Sequence, residues 1–162
     1  MSFKKIITGL LLSLILGSGA AIAADFNKGL EAFYSGDFET ASVEWTPLAD
    51  QGNADAQYTL GFMYEFGRGV PENDKTAVKW YTLAAEQGHA KGQSNLGTMY
   101  AKGKGVLTDN RRAYMWKNLS SYNGNENAGK NKDTIAKQMT PADISKAQDM
   151  SSRCLESNYT DC

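Results

Sequence analysis

Few residues in this chain are of a type that could do chemistry. In 162 residues, His89 is the sole histidine, and Cys154 and Cys162 are the only cysteines. One imidazole and two thiols set so far apart do not supply a metal ligand set, and the cysteines lack the tight Cys-x-x-Cys spacing of a redox pair. The chain has no Gly-x-Ser-x-Gly, no His-Glu-x-x-His and no phosphate-binding loop. Gly103-Lys104-Gly105 superficially matches a glycine-rich phosphate cradle. Gly67-Arg68-Gly69 holds the same place one repeat earlier, however, so both read as structural turns. The carboxylates are scattered, and no pair stands out. We therefore expect no catalytic residue, no metal and no cofactor, and a function other than catalysis.

What organises these residues is repetition. Slid by about thirty-six residues, the sequence lands on itself: Gln57, Leu60, Gly61, Met63, Tyr64, Gly67, Gly69, Val70, Ala77, Trp80 and Gly88 fall on Gln93, Leu96, Gly97, Met99, Tyr100, Gly103, Gly105, Val106, Ala113, Trp116 and Gly124. A period in the range of roughly 20–50 residues is the mark of a stacked repeat array. In one full unit Asn53 can cap a first helix ending near Phe66, and the next unit repeats that helix from His89 to Lys102. A Gly-x-Gly turn needing positive φ follows. Asn73 or Asp74, then Asp109, start a second helix that closes at Gly88 or near Tyr122. Gly61 and Gly97 stand mid-helix, where each costs up to ~1 kcal/mol against Ala. That cost predicts a close helix crossing there, with Ala77 or Ala113 opposite.

Asp25 to Gly52 reads as a shorter helical pair broken at Ser35-Gly36-Asp37, with Pro47 expected to kink or weaken the second helix. After Gly124 the repeat fades. Residues 123–133 read as polar loop, and 134–139 as a possible short helix. Thr140-Pro141-Ala142-Asp143 then starts a helix running to about Leu155, with Ile144, Ala147, Met150 or Ser151, and Cys154 on one face. Such a helix would cover the open apolar end of the array.

The first two dozen residues read as an address. Lys4 and Lys5 precede an apolar run from Ile6 to Leu16, and Ala21-Ile22-Ala23 supplies a small-x-small cleavage pattern. Residues 1–23 are thus expected to be a cleaved secretory signal peptide, placing the rest in the periplasm or outside the cell, with no membrane insertion afterwards. In that setting Cys154 and Cys162 are expected to form a disulfide. Without Lys4 and Lys5, 15 basic residues face 18 acidic ones, a formal charge of −3. This disfavours nucleic acid as a partner.

Leu-Gly-x-Met-Tyr, Gly-x-Gly-Val, Ala-x-x-Trp and a closing Gln-Gly resemble the Sel-one-like repeat (SLR) family, relatives of tetratricopeptide repeats. The match is strong over 53–88 and good over 89–124. Residues 24–52 look more like a plain tetratricopeptide unit, and 125–162 form a C-terminal cap. Ser120-Ser121 depart from Ala84-Ala85 one unit earlier. The resemblance implies an all-α fold, a right-handed α-α superhelix of antiparallel helix pairs with a capping helix, whose first helices line a concave face. It also implies an adaptor or scaffold that binds another protein.

In the related tetratricopeptide pattern the concave positions match Asp55, Tyr58, Phe62, Glu65 and Phe66 in the second unit, and Lys91, Ser94, Thr98, Ala101 and Lys102 in the third. Tyr58, Phe62 and Phe66, at i, i+4 and i+8, make one aromatic stripe. Either the stripe anchors a bound segment next to the lysines, or it packs on the first unit. Oligomeric state is not legible, though a monomer is favoured. Two other roles remain open, a neutraliser of an exported toxin or enzyme and, less favoured, a cell-wall hydrolase.

Overall fold

The computed structural model describes residues 25–162, so the expected signal peptide lies outside the described residues. Helix starts follow the polar caps. The side chains of Asp25, Asp37, Asn53, Asn73, His89 and Asp109 each accept a backbone N–H from the second or third residue of the helix that follows. These caps open α1 (Phe26–Ser35), α2 (Phe38–Asp50), α3 (Ala54–Phe66), α4 (Asp74–Ala85), α5 (Ala90–Lys102) and α6 (Asn110–Tyr122). His89 caps because it stands one period after Asn53: its Nδ1 accepts from Gly92 N–H as Asn53 Oδ1 accepts from Ala56 N–H. The described part closes with α7 (Glu126–Ala136) and α8 (Pro141–Glu156), the latter capped by Thr140.

Consecutive helices pack in pairs, α1 with α2, α3 with α4 and α5 with α6, and each pair stacks on the next. The result is an all-α superhelix of helix pairs. Two apolar clusters run through it. One joins Trp45, Leu60, Met63 and Trp80, the other Tyr81, Leu96, Met99, Met115 and Leu119, and Tyr64 packs against both. Each fully buried large side chain stabilises by about 1.5–3 kcal/mol.

The Gly-x-Gly turns join neighbouring units. Gly67, Gly69, Gly103 and Gly105 all have φ between 61° and 69°, as the turn reading required. The second glycine has a further role. A Cβ on Gly69 would stand 2.2 Å from the Phe38 carbonyl oxygen, and one on Gly105 would stand 2.4 Å from that of Asp74. Each turn therefore lies directly on the start of the preceding unit's second helix. Buried glutamines add a parallel link: Gln57 donates to Ala49 O (2.9 Å) and Gln93 to Ala85 O (3.1 Å), at matching repeat positions.

Three local expectations need correction. Gly61 faces Tyr81, whose ring would meet an added Cβ at 2.5 Å, rather than Ala77. Residues 126–133, expected as loop, belong to a helix that runs on to Ala136. α7 rests on α6 through Ala128, its one buried residue, with Gly129 against Ser121, so it carries almost no apolar periodicity to read. The array's end is accordingly covered by two helices, since α8 also packs on α6, burying Ala147, Ser151 and Cys154. Pro47 stands inside α2, which continues to Asp50. Cys154 and Cys162 are bridged. The tail between them folds back so that Tyr159 OH bonds Asn123 (2.9 and 3.0 Å) and its ring lies on Gly88.

Candidate functional site

The first helices α1, α3 and α5 bound a groove of about 540 Å³. Of the sequence-predicted residues it brings together Asp55, Tyr58, Phe62 and Lys91. Phe26, Leu30, Phe33, Tyr34, Trp45 and His89 line it as well. The α1 residues were legible in principle. Aligning Gly29 with Gly61 puts Phe26, Leu30, Phe33 and Tyr34 opposite Tyr58, Phe62, Glu65 and Phe66. The weaker likeness of the first unit hid that register.

The aromatic stripe divides between the two readings left open for it. Tyr58 stacks on His89 with ring centroids 4.9 Å apart, and Phe62 meets Phe33 edge-on at 6.3 Å. Both are half-buried in the groove wall. Phe66 lies 4.7 Å from Phe62 and is 52% exposed, beyond the lined groove. Tyr34, on the opposite lip, is 80% exposed. Arg68 holds its guanidinium over Phe38 (5.2 Å) and Phe62 (5.4 Å), closing one end of the aromatic cluster.

Polar groups fix the rest of the concave face. His89 accepts from Gly92 on Nδ1, so its Nε2 carries the hydrogen and donates to Asp55 Oδ1 at 3.1 Å. Tyr81 OH donates to Glu65 Oε2 (2.7 Å) and accepts from Asn95 (3.0 Å). Burial first, and then the bond to Glu65, push the Tyr81 phenol well above its usual range, so it stays a donor. Lys117 crosses from α6 to donate to Ser94 Oγ (2.9 Å) and Thr98 Oγ1 (2.8 Å). Its ammonium is held down to about 8, by burial and secondarily by Lys102. Lys91 and Lys102 are exposed on the rim. Glu65, Ser94, Thr98 and Lys102 thus lie next to the lined groove rather than in it. Among the described residues no group of histidine, cysteine and carboxylate side chains could hold a metal ion.

The Sel1 repeat family model matches residues 54–89 and 90–125. Among solved structures, the chain is similar to a protective antigen present in uropathogenic Escherichia coli strains that displays an SLR fold. Identity is 28% and the TM-score 0.78, over 82% of this chain and 30% of that one. It is also similar to a Sel1 repeat protein from Oxalobacter formigenes, at 32% identity and a TM-score of 0.65, over 68% of this chain and 46% of that one. The chain spans less than half the length of either. No curated protein matches it. Sel1 repeats are typically scaffolds for protein–protein interaction. The glycine turns, buried glutamines and paired helices at 54–125 are thus the parts of a repeat scaffold already described by a family, and this chain is a Sel1-like repeat protein.

Proposed function

We propose that the concave groove binds a segment of another protein and that the chain is a non-catalytic adaptor of the periplasm or extracellular space. The observation that carries this reading is the aromatic wall of half-buried Tyr58, Phe62 and Phe33 and exposed Tyr34, which nothing in the described chain covers. Aromatic side chains in a concave, partly desolvated setting are the usual energetic centres of an interface. Asp55 and Lys91 complete its lining, and Glu65, Phe66, Ser94, Thr98 and Lys102 form its polar and apolar margins. The Cys154–Cys162 bridge fits an oxidising compartment.

The test compares the wild type with a Tyr58→Ala, Phe62→Ala, Phe66→Ala variant in affinity capture from the native envelope fraction, after circular dichroism shows equal helicity. A partner held by the wild type should be weakened at least roughly tenfold in the variant. A variant that retains that partner undiminished rules out the aromatic groove as the site.

A further inference from the structure

Three residues at one repeat position each cross a glycine on the first helix of their own pair. Trp45, Tyr81 and Lys117 occupy matching places on α2, α4 and α6. Each lies against a glycine on the first helix of its own pair. An added Cβ on Gly29 would meet the Trp45 indole at 2.5 Å, one on Gly61 the Tyr81 ring at 2.5 Å, and one on Gly97 the Lys117 Cγ at 3.1 Å. The absent side chains let these residues extend from the second-helix layer towards the concave one. Their ends differ in chemistry. The Trp45 indole donates to Phe26 O (3.1 Å) beside Phe33, Tyr81 ends between Glu65 and Asn95, and Lys117 ends on Ser94 and Thr98.

Lys117 stands apart in having no counter-charge. It is 3% exposed, and among the described residues no carboxylate lies within ion-pairing distance of it. Its ammonium has three donors, and its two hydrogen bonds go to neutral hydroxyls. The Thr98 hydroxyl hydrogen is spent on Ser94 O (3.1 Å), which leaves the Ser94 hydroxyl hydrogen as a further donor. A buried ammonium facing only hydroxyls is unfavourable until an anion joins it. The Ser94–Lys117 pair would also suit a nucleophile and its base. Ser94 sits inside α5, however, where backbone N–H groups are engaged in the helix, so no oxyanion donor is in place. The geometry favours recognition over reaction.

We propose that Lys117 with Ser94 is a carboxylate-recognition subsite, and that the protein's partner presents an acidic peptide segment to it. This inference rests on the groove-binding reading. The segment's apolar residue would seat on the α1–α3 wall, and its carboxylate over α5, with Lys91 and Lys102 adding positive potential from the rim. Neighbouring helices pack 8–10 Å apart. At roughly 3.3 Å per residue of extended chain, the carboxylate should follow or precede the apolar anchor by about three residues.

The test probes the purified full chain with arrayed octapeptides in which an aromatic or Leu anchor and a Glu are moved independently, each with a free or amidated C-terminus. The wild type should select an acid about three residues from the anchor, and changing that Glu to Gln should weaken binding at least about tenfold. Lys117→Met should bind the Glu and Gln peptides equally while still requiring the anchor. Sensitivity to amidation in place of Gln would assign the carboxylate to a chain terminus, and the subsite would stand. Equal affinity of the wild type for Glu and Gln peptides, with amidation also without effect, overturns the subsite and leaves the groove reading intact. So does a Glu preference that survives in Lys117→Met. Absence of any anchored peptide on the wild type overturns both. The peptide exchange uses the unaltered protein, so a folding defect in the variant cannot imitate the result.

Discussion

At the scale of single residues, side-chain volume and charge decide outcomes that local propensity gets wrong. Gly61 is a mid-helix glycine, and propensity alone says that Gly61→Ala should gain up to ~1 kcal/mol. The Tyr81 ring occupies the space a Cβ would need. The substitution should instead lower stability by about 1–3 kcal/mol in chemical denaturation. It should also disturb the Tyr81–Glu65 hydrogen bond at the groove. Lys117 offers a second test through pH. Its folded pKa of about 8 lies below the unfolded 10.5, so between those values the unfolded chain binds more protons. Stability should therefore rise with pH across that window, by something on the order of 2–3 kcal/mol, and thermal melts in a pH series would show it. Affinity for an acidic peptide should move the opposite way and fall above about pH 8, because only the ammonium pairs with a carboxylate. A flat stability profile from pH 8 to 10 would place the Lys117 ammonium in water.

At the scale of the element, most of what positions the groove was legible. The helix starts follow from Asn53, Asn73 and Asp109, and the turns from Gly67, Gly69, Gly103 and Gly105, because capping and positive φ are short-range demands written in a few residues. α7 was not legible, since it depends on Ala128 and Gly129 meeting α6, a contact that leaves no apolar period behind. Equally hidden was the contact of Gly105 with the start of α4. Gly105→Ala combines an unfavourable φ of 69° with a clash against the Asp74 carbonyl. It should cost roughly 2–4 kcal/mol, with protease cleavage appearing first at residues 103–108. A melt equal to wild type would show that the turn can lift off α4 without consequence.

At the scale of the whole molecule, three helix pairs stand near the lower limit for an independent array, and the covered end matters accordingly. Cys162→Ser opens the bridge while leaving buried Cys154 in place. The chain-entropy model gives a loss of about 2–3 kcal/mol for so short a loop. Hydrogen exchange should localise that loss to α8 and the Tyr159–Asn123 contact, sparing α1–α4. Exchange that quickens evenly from α1 to α8 would mean that the array unfolds as one unit.

The repeat period, the all-α superhelix and the capped helix pairs were determined by the sequence itself. Stacked repeats make these properties local, so each unit restates them at a fixed spacing. The sequence also marked the aromatic stripe, but not that Tyr58 would stack on His89 or that α1 would complete the wall. Only the tertiary structure decided that Trp45, Tyr81 and Lys117 pass over glycines into the concave layer. It alone left the Lys117 ammonium buried on two hydroxyls. Those outcomes depend on how two helices face each other across a gap of a few ångströms, and no residue spacing within either helix encodes that gap.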